Sequence, residues 1–278
     1  MAARAKQREF EFTWNDFEAL RKISYKHTGI VVSDEKYDMF YSRLVKRIRT
    51  LGLKNFREYC KLLEEGQGDE FDQFINSITT NLTSFFREIH HFEFLAETVL
   101  PQILRMNIAK RRVRIWSAGC SSGEEPYSLA MTVAEHIPRD WDTKILATDL
   151  DTNVLAAAAA GVYPSDRMDG ISASRSKRWL LNGKGPNQGK MRVSPDLQSM
   201  IRFKQLNLMG EWPMQGPFDF IFCRNVLIYF DKETKIKLIS RYADILVEGG
   251  HLFIGHSESL YQITDRFKLI GNTIYRKT

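Results

Sequence analysis

The sequence predicts an α/β protein, a doubly wound and mainly parallel sheet preceded by an all-helical domain and carrying a small antiparallel β insertion. Three observations carry this. From Arg112 onward, strands alternate with helices: RVRIWSAGC leads into EEPYSLAMTVAEHI, and KILATDL into NVLAAAAAG, the pattern of a parallel sheet with crossover helices. Before that point the punctuation is helical throughout. Between residues 163 and 209 the alternation lapses into LLNGKGPNQGKMRVSPDLQSMIRFKQLNL, whose glycines and prolines suit short antiparallel strands.

The helices follow in order. Thr13 precedes a periodic run of Phe17, Leu20, Ile23 and Ser24 that stops at Gly29, and Ser33 stands where a second helix needs a cap. Asn55 with Glu58 three residues later forms a capping box for a third, which Gly66 ends. A fourth helix begins near Glu70, meets the polar stretch 79–83 and resumes as far as Leu104. That break sets the domain junction: a helical domain over 1–83 and a sheet domain over 84–278, with the β-subdomain inserted at about 176–206. FDFIFCRN, ETKIKLISRYADIL, GGHLFIG and FKLIGNTIYRK complete the sheet.

Composition narrows the setting. With 278 residues and 43% hydrophobic content, the chain can bury the core of a full sheet domain and a smaller companion. Cys60, Cys120 and Cys223 form neither a CxxC pair nor an even disulfide framework, which favours a reducing, cytoplasmic compartment. The opening MAARAKQREF has no apolar leader, and no run reaches the roughly 18 apolar residues of a spanning helix, so direct membrane insertion is not expected. A net charge of +6 calls for an anionic partner: nucleic acid, lipid surface or an acidic protein face. Metal is not expected, since no HExxH or Cys/His cluster occurs; His90 and His91 read as helix-surface residues, and Phe85 and Phe86 as core.

The strongest chemical signal is the run Trp116-Ser117-Ala118-Gly119-Cys120-Ser121-Ser122-Gly123-Glu124-Glu125-Pro126-Tyr127. A first strand ending in small residues lets backbone approach a ligand at the carboxyl edge of the sheet. The loop is not GxGxxG, and two acidic residues follow where a pyrophosphate needs bare helix N–H groups. A ligand with cationic groups fits better, and S-adenosylmethionine carries a sulfonium and an ammonium. Asp149 ends the second strand, where a carboxylate can accept ribose hydroxyls. Each acid also has an ordinary reading, Glu124 as a first-turn helix charge and Asp149 as a strand-end turn residue; their joint placement on consecutive strand ends favours the functional one.

Four motifs in order, TTNLTSFFRE (79–88), AGCSSGEEPYS, the ATD strand end and CRNVLIYF (223–230), resemble the CheR family of chemoreceptor methyltransferases, and the likeness extends to GHSESL. The resemblance implies a helical N-terminal domain, a Rossmann-like S-adenosylmethionine-dependent domain with a β-subdomain, and methyl transfer to receptor glutamates that leaves S-adenosylhomocysteine. Position by position it implies that Asn81, Thr83 and Arg87 lie near the cofactor, that Glu124 faces its methionine part and Asp149 its ribose, and that Asn207 and Leu208 flank the adenine. Arg224 and Asn225 would line the pocket floor. Tyr229 is expected to orient the substrate carboxylate, with Arg87 a more distant electrostatic contributor.

Recognition is read from the second helix. Tyr37, Phe40, Tyr41, Leu44, Val45, Ile48 and Leu51 form its apolar face, and Lys36, Arg43 and Arg47 recur beside it, with Lys46 and Arg49 further round. That is either a solvated face or a dock for acidic receptor helices that would bring the protein to membrane receptor clusters. The glycines of 183–189 suit an ordinary hairpin, or an exposed edge taking a receptor C-terminal peptide as an added strand. Two rivals stand beside this reading. A nucleic-acid methyltransferase of the amino-methylating kind would carry Asn/Asp-Pro-Pro-aromatic where this chain has CRNVLIYF; a non-catalytic binding module would share most of the same residues.

Overall fold

A computed structural model of the chain describes residues 8–66 and 69–278; residues 1–7, the greater part of the segment read above as lacking an apolar leader, lie outside the described residues. The chain divides into two compact units, Met1–Thr80 and Asn81–Thr278.

The first unit is helical: α1 (Trp14–Thr28), α2 (Tyr37–Leu51), α3 (Phe56–Glu64) and α4 (Glu70–Ile78). Thr13 and Asp16 form a reciprocal capping box at α1, and Gly29, at φ 72°, stops it. Ser33 makes no side-chain cap; its carbonyl starts a 3₁₀ turn (Asp34–Lys36) that runs into α2. At α3 the box is half closed. Asn55 accepts the Glu58 N–H at 2.9 Å, while the Glu58 carboxylate takes the N–H of Lys54. α2 buries Phe40, Leu44, Val45 and Ile48, the expected stripe, whereas Leu51 is exposed at its end.

The second unit opens with α5 (His90–Phe94), a π-helical turn (Leu95–Val99) and α6 (Leu100–Met106). Then come β1 (Arg112–Ala118), α7 (Glu124–His136), β2 (Asp142–Asp149), α8 (Thr152–Ala160), β3 (Val162–Pro164), α9 (Ala173–Trp179), β4 (Leu180–Asn182) and β5 (Lys190–Val193). The rest is α10 (Pro195–Met200), β6 (Ile201–Gln205), β7 (Phe218–Cys223), α11 (Lys232–Ile245), β8 (Leu246–Ile254), β9 (Phe267–Gly271) and β10 (Ile274–Lys277).

Seven strands form the main sheet in the order β6-β2-β1-β7-β8-β10-β9. The first five are parallel, and β10 runs antiparallel to both β8 and β9. β7 is buried along its whole length, as a central parallel strand must be. Its one charge, Asp219, is absorbed by the N–H of Arg114 at 2.7 Å and the amide of Asn107 at 2.8 Å. The doubly wound sheet, helical region and antiparallel insertion are those expected.

Two boundaries differ from the reading of the sequence. The division after Thr80 puts 81–83 with the sheet unit, where the Asn81 amide donates to Asp151 at 2.8 Å. The inserted sheet, in the order β3-β5-β4, draws its strands from 162–193, and Ile201–Gln205 joins the main sheet parallel to β2. A three-residue strand such as Val162–Pro164 is too short to show an alternation. Phe85 and Phe86 lie in the hydrophobic core. His91 does not lie on the surface: it is fully buried, its Nε2 2.9 Å from the Asn272 carbonyl. No helix among the described residues is long and apolar enough to cross a membrane.

Candidate functional site

β1 feeds β2 and then β6 on one side, while β7 and β8 lie on the other, so the direction of winding reverses between β1 and β7. In a doubly wound sheet the crevice at the carboxyl end of that junction is the natural ligand seat. Register brings the strand ends together there. Ala118 pairs with Thr148, Asp149 with Gln205, and Cys223 with Ile254, so the loops after β1, β2, β6, β7 and β8 leave one edge.

The loop after β1 is held tightly. The N–H groups of Gly119 and Cys120 both donate to the Thr148 carbonyl, at 2.8 and 2.9 Å. Gly119 sits at φ 84°, and a Cβ there would come within 2.4 Å of Val226 beyond β7, so only glycine lets the two loops approach this closely. Ser121 donates its N–H to Asp149 at 2.7 Å and its hydroxyl to the Asn81 carbonyl at 3.1 Å.

Glu124 is the first residue of α7 and fully buried. Ser122 donates to its Oε2 at 2.7 Å; its Oε1 has no hydrogen-bond partner among the described residues, the nearest positive charge being Arg167 at 3.5 Å. Glu125 turns the other way, accepting from Ser117 at 2.7 Å and from Arg224 at 3.2 Å, and burial pushes its pKa up. Asp149 stands at the end of β2 as expected, but both its oxygens accept backbone N–H groups, from Ser121 and, at 3.0 Å, from Asp151. Burial raises its pKa while those bonds lower it. It closes the loop, and each oxygen keeps a second lone pair.

Arg224 is buried, one end on Glu125 and the other on the Arg87 carbonyl, with Glu88 at 3.3 Å. Glu88 also accepts from His256 at 2.9 Å. Burial would raise the pKa of Glu88, but the His256 bond and the Arg224 charge prevail and hold it at about 2. Burial and the Arg224 charge hold His91 at about 4. Arg87 spends one nitrogen on the Leu82 carbonyl at 3.0 Å. Thr83 is half-buried two residues after Asn81.

Asn225 follows β7 at φ 59°. Its N–H goes to Glu258 at 3.0 Å, and the same carboxylate accepts from Gly255 at 2.6 Å and Ile228 at 3.1 Å. Glu258 thus fixes the 225–228 loop, and with it the 3₁₀ turn (Leu227–Tyr229) that carries half-buried Tyr229. Asn207 and Leu208 follow β6. The Asn207 side chain caps the Met209 N–H at 2.9 Å, and the Leu208 carbonyl accepts from Trp212 at 3.2 Å and Arg241 at 2.6 Å.

The site residues named from sequence therefore all emerge at one sheet edge or in the 81–88 segment bonded to it. Sequence reading gave no role to Glu258, Glu88, Glu125, Ser121 or Asp151, although the first four of these lie inside motifs already quoted. Each makes a bond that spans 33 to 168 residues, and no local pattern announces such partners.

A winding junction lined by a Gly-spaced loop and an under-satisfied buried acid is the frame of a methyltransferase domain that takes S-adenosylmethionine. The comparisons carry this to a family. Residues 81–276 match the model described as "CheR methyltransferase, SAM binding domain", and 15–79 the one described as "CheR methyltransferase, all-alpha domain". The chain is 45% identical over 258 residues to a "Probable chemotaxis protein methyltransferase" of Rhizobium etli, covering 91% of this chain and 96% of that one. It is 44% identical to "Chemotaxis protein methyltransferase 2" of Pseudomonas aeruginosa (96% and 94% covered) and 43% to the "Chemotaxis protein methyltransferase" of Escherichia coli (93% and 89%). The chain belongs to the CheR methyltransferase family, and its cofactor is S-adenosylmethionine. The residues present fit that group: the buried Oε1 of Glu124 can accept from an ammonium.

Proposed function

We propose that this protein transfers the methyl group of S-adenosylmethionine to glutamate side chains of chemoreceptors, forming methyl esters. The observation that carries the reading is Glu124 Oε1, a buried acceptor with no hydrogen-bond partner at the winding junction of a CheR-family chain.

In this reading Glu124 takes the ammonium, Asp149 and Asn81 with Thr83 the ribose side, and Asn207 with Leu208 the adenine. Bound S-adenosylmethionine supplies an electrophilic methyl on a sulfonium. The substrate glutamate, with an unperturbed pKa near 4.3, is already ionised at neutral pH, so no protein group has to remove a proton. What the chain must do is align the carboxylate and exclude water, since opposite charges are lost in the step. A strong bidentate arginine would stabilise the ground-state anion more than the partly neutralised transition state. The internal commitments of Arg224 and Arg87 keep their charge at a distance from that role. Tyr229, a neutral donor on a turn fixed by Glu258, orients the carboxylate. Arg87 and Arg224 with Asn225 shape the floor.

Docking uses the α2 face. Arg43 donates to the Thr79 carbonyl at 2.6 Å and Arg47 pairs with Glu70, so the exposed Lys36 and Lys46 carry the attraction for acidic helices. A receptor C-terminal peptide could add to the edge of the β3-β5-β4 sheet. The reaction takes place in the cytoplasm at receptor clusters.

The test is transfer of radiolabelled methyl to receptor cytoplasmic domains. Base-labile label that disappears when the receptor glutamates are changed to alanine supports the reading; base-stable label, or cofactor binding without transfer, overturns it. Tyr229→Phe should lower turnover roughly 10-fold or more, the worth of one or two hydrogen bonds, with cofactor affinity intact.

A further inference from the structure

Glu88, His90 and His91 each place a buried polar atom in one spot, and none of the three has a hydrogen-bond partner among the described residues: Glu88 Oε2, His90 Nε2 and His91 Nδ1. One ligand-type atom from each residue lies within 4.8 Å of the others. His91 is fully buried, and its Nε2 lies 2.9 Å from the Asn272 carbonyl. A carbonyl only accepts, so the ring proton is on Nε2 and Nδ1 presents a lone pair. That lone pair faces Glu88 Oε2 at 3.5 Å. Two acceptors turned towards each other in a buried place repel unless a positive charge lies between them.

We infer that Glu88, His90 and His91 bind a divalent transition-metal ion of the zinc class. Two imidazoles and one carboxylate make a borderline donor set that suits zinc, with a fourth position left for water. Supporting contacts are already built. The Asn272 carbonyl fixes the tautomer of His91, and His256 holds the second oxygen of Glu88 at 2.9 Å, the outer-shell pattern of metal-ligating His and carboxylate groups. The backbone of Glu88, at φ 55°, turns its side chain back toward the start of α5. The opposing term is Arg224, 3.3 Å from Glu88 Oε2; Glu125, 3.2 Å from its other nitrogen, offsets that charge. The ion would fix the turn between Arg87 and α5, whose outer contacts reach the loops after β8 and β9, a structural role separate from methyl transfer.

The experiment titrates Co²⁺, as a spectroscopic stand-in for Zn²⁺, into chelator-treated full chain, with Zn²⁺ competition and thermal melting alongside. The expected result is one saturable visible band per chain, displaced by Zn²⁺, and a Tm raised by Zn²⁺. His90→Ala, at a half-exposed position that keeps the fold, should weaken binding roughly a hundredfold and abolish the Tm rise; Glu88→Gln should do the same. No saturable band, or binding undiminished in His90→Ala with a melting curve like that of the parent, overturns the assignment.

Discussion

Glu70 and Glu124 occupy equivalent places, each a buried glutamate that is the first residue of its helix. In the helical unit, Glu70 is bonded on both oxygens: Arg47 reaches each of them, and Tyr59 adds its hydroxyl at 2.8 Å. In the sheet unit, Glu124 is bonded on one oxygen only. The same residue type at the same helical position thus has two different surroundings. A buried carboxylate with both oxygens bonded within its own chain holds the fold; one left short of a donor at a strand edge is, in the reading proposed above, the seat of a ligand.

The largest effect expected from breaking this contrast is on stability. Glu70→Ala strands Arg47 half-buried and should cost about 3–5 kcal/mol, read from urea unfolding, with cofactor affinity unchanged while the chain stays folded. A cost below about 1 kcal/mol would show that the pair is merely a surface one. Next comes a buried histidine in the sheet. Burial, aided by the charge of Arg276, holds His251 at about 4 against 6.5 when unfolded. As pH falls, the unfolded chain takes its proton first. Stability is intact above about pH 6.5 and is lost between there and pH 4, by roughly 3 kcal/mol at the limit. His91, also held at about 4, adds a like loss over the same window, so His251→Gln should reduce the slope of that part of the urea-midpoint profile without abolishing it; an unchanged slope would assign the loss to other groups. The smallest effect belongs to the surface. Lys36→Glu with Lys46→Glu should weaken binding of receptor helical bundles a few-fold and reduce its salt dependence, while Arg43→Gln should act on the stability of the helical unit instead.

Much of this was legible in the sequence because the rules involved are local. Thr13 and Gly29 bound α1 by cap chemistry, and β1 and α7 declare themselves by the change of period around Gly119 to Gly123. The site motifs fell at strand ends for the same reason. What stayed hidden was partnership. The spacing of Arg43 and Arg47 on α2 shows a basic face, but not that Ser77, Thr79 and Glu70 come back to meet it. His91 follows a polar neighbour in a helical run and reads as surface, yet β7 and β8 with the turn at Asn272 bury it. Glu258 looks like a loop acid until β7 and β8 pair and bring it to three backbone N–H groups.

The most direct test is calorimetric titration of the full chain and Glu124→Gln with two ligands, S-adenosylmethionine and methylthioadenosine, which lacks the amino-acid part. Loss of one charge-assisted hydrogen bond predicts that Glu124→Gln binds S-adenosylmethionine about 10–100-fold more weakly and methylthioadenosine equally well. An equal loss for both ligands, or none for either, would contradict the assignment of Glu124 Oε1 as the seat of the cofactor's ammonium.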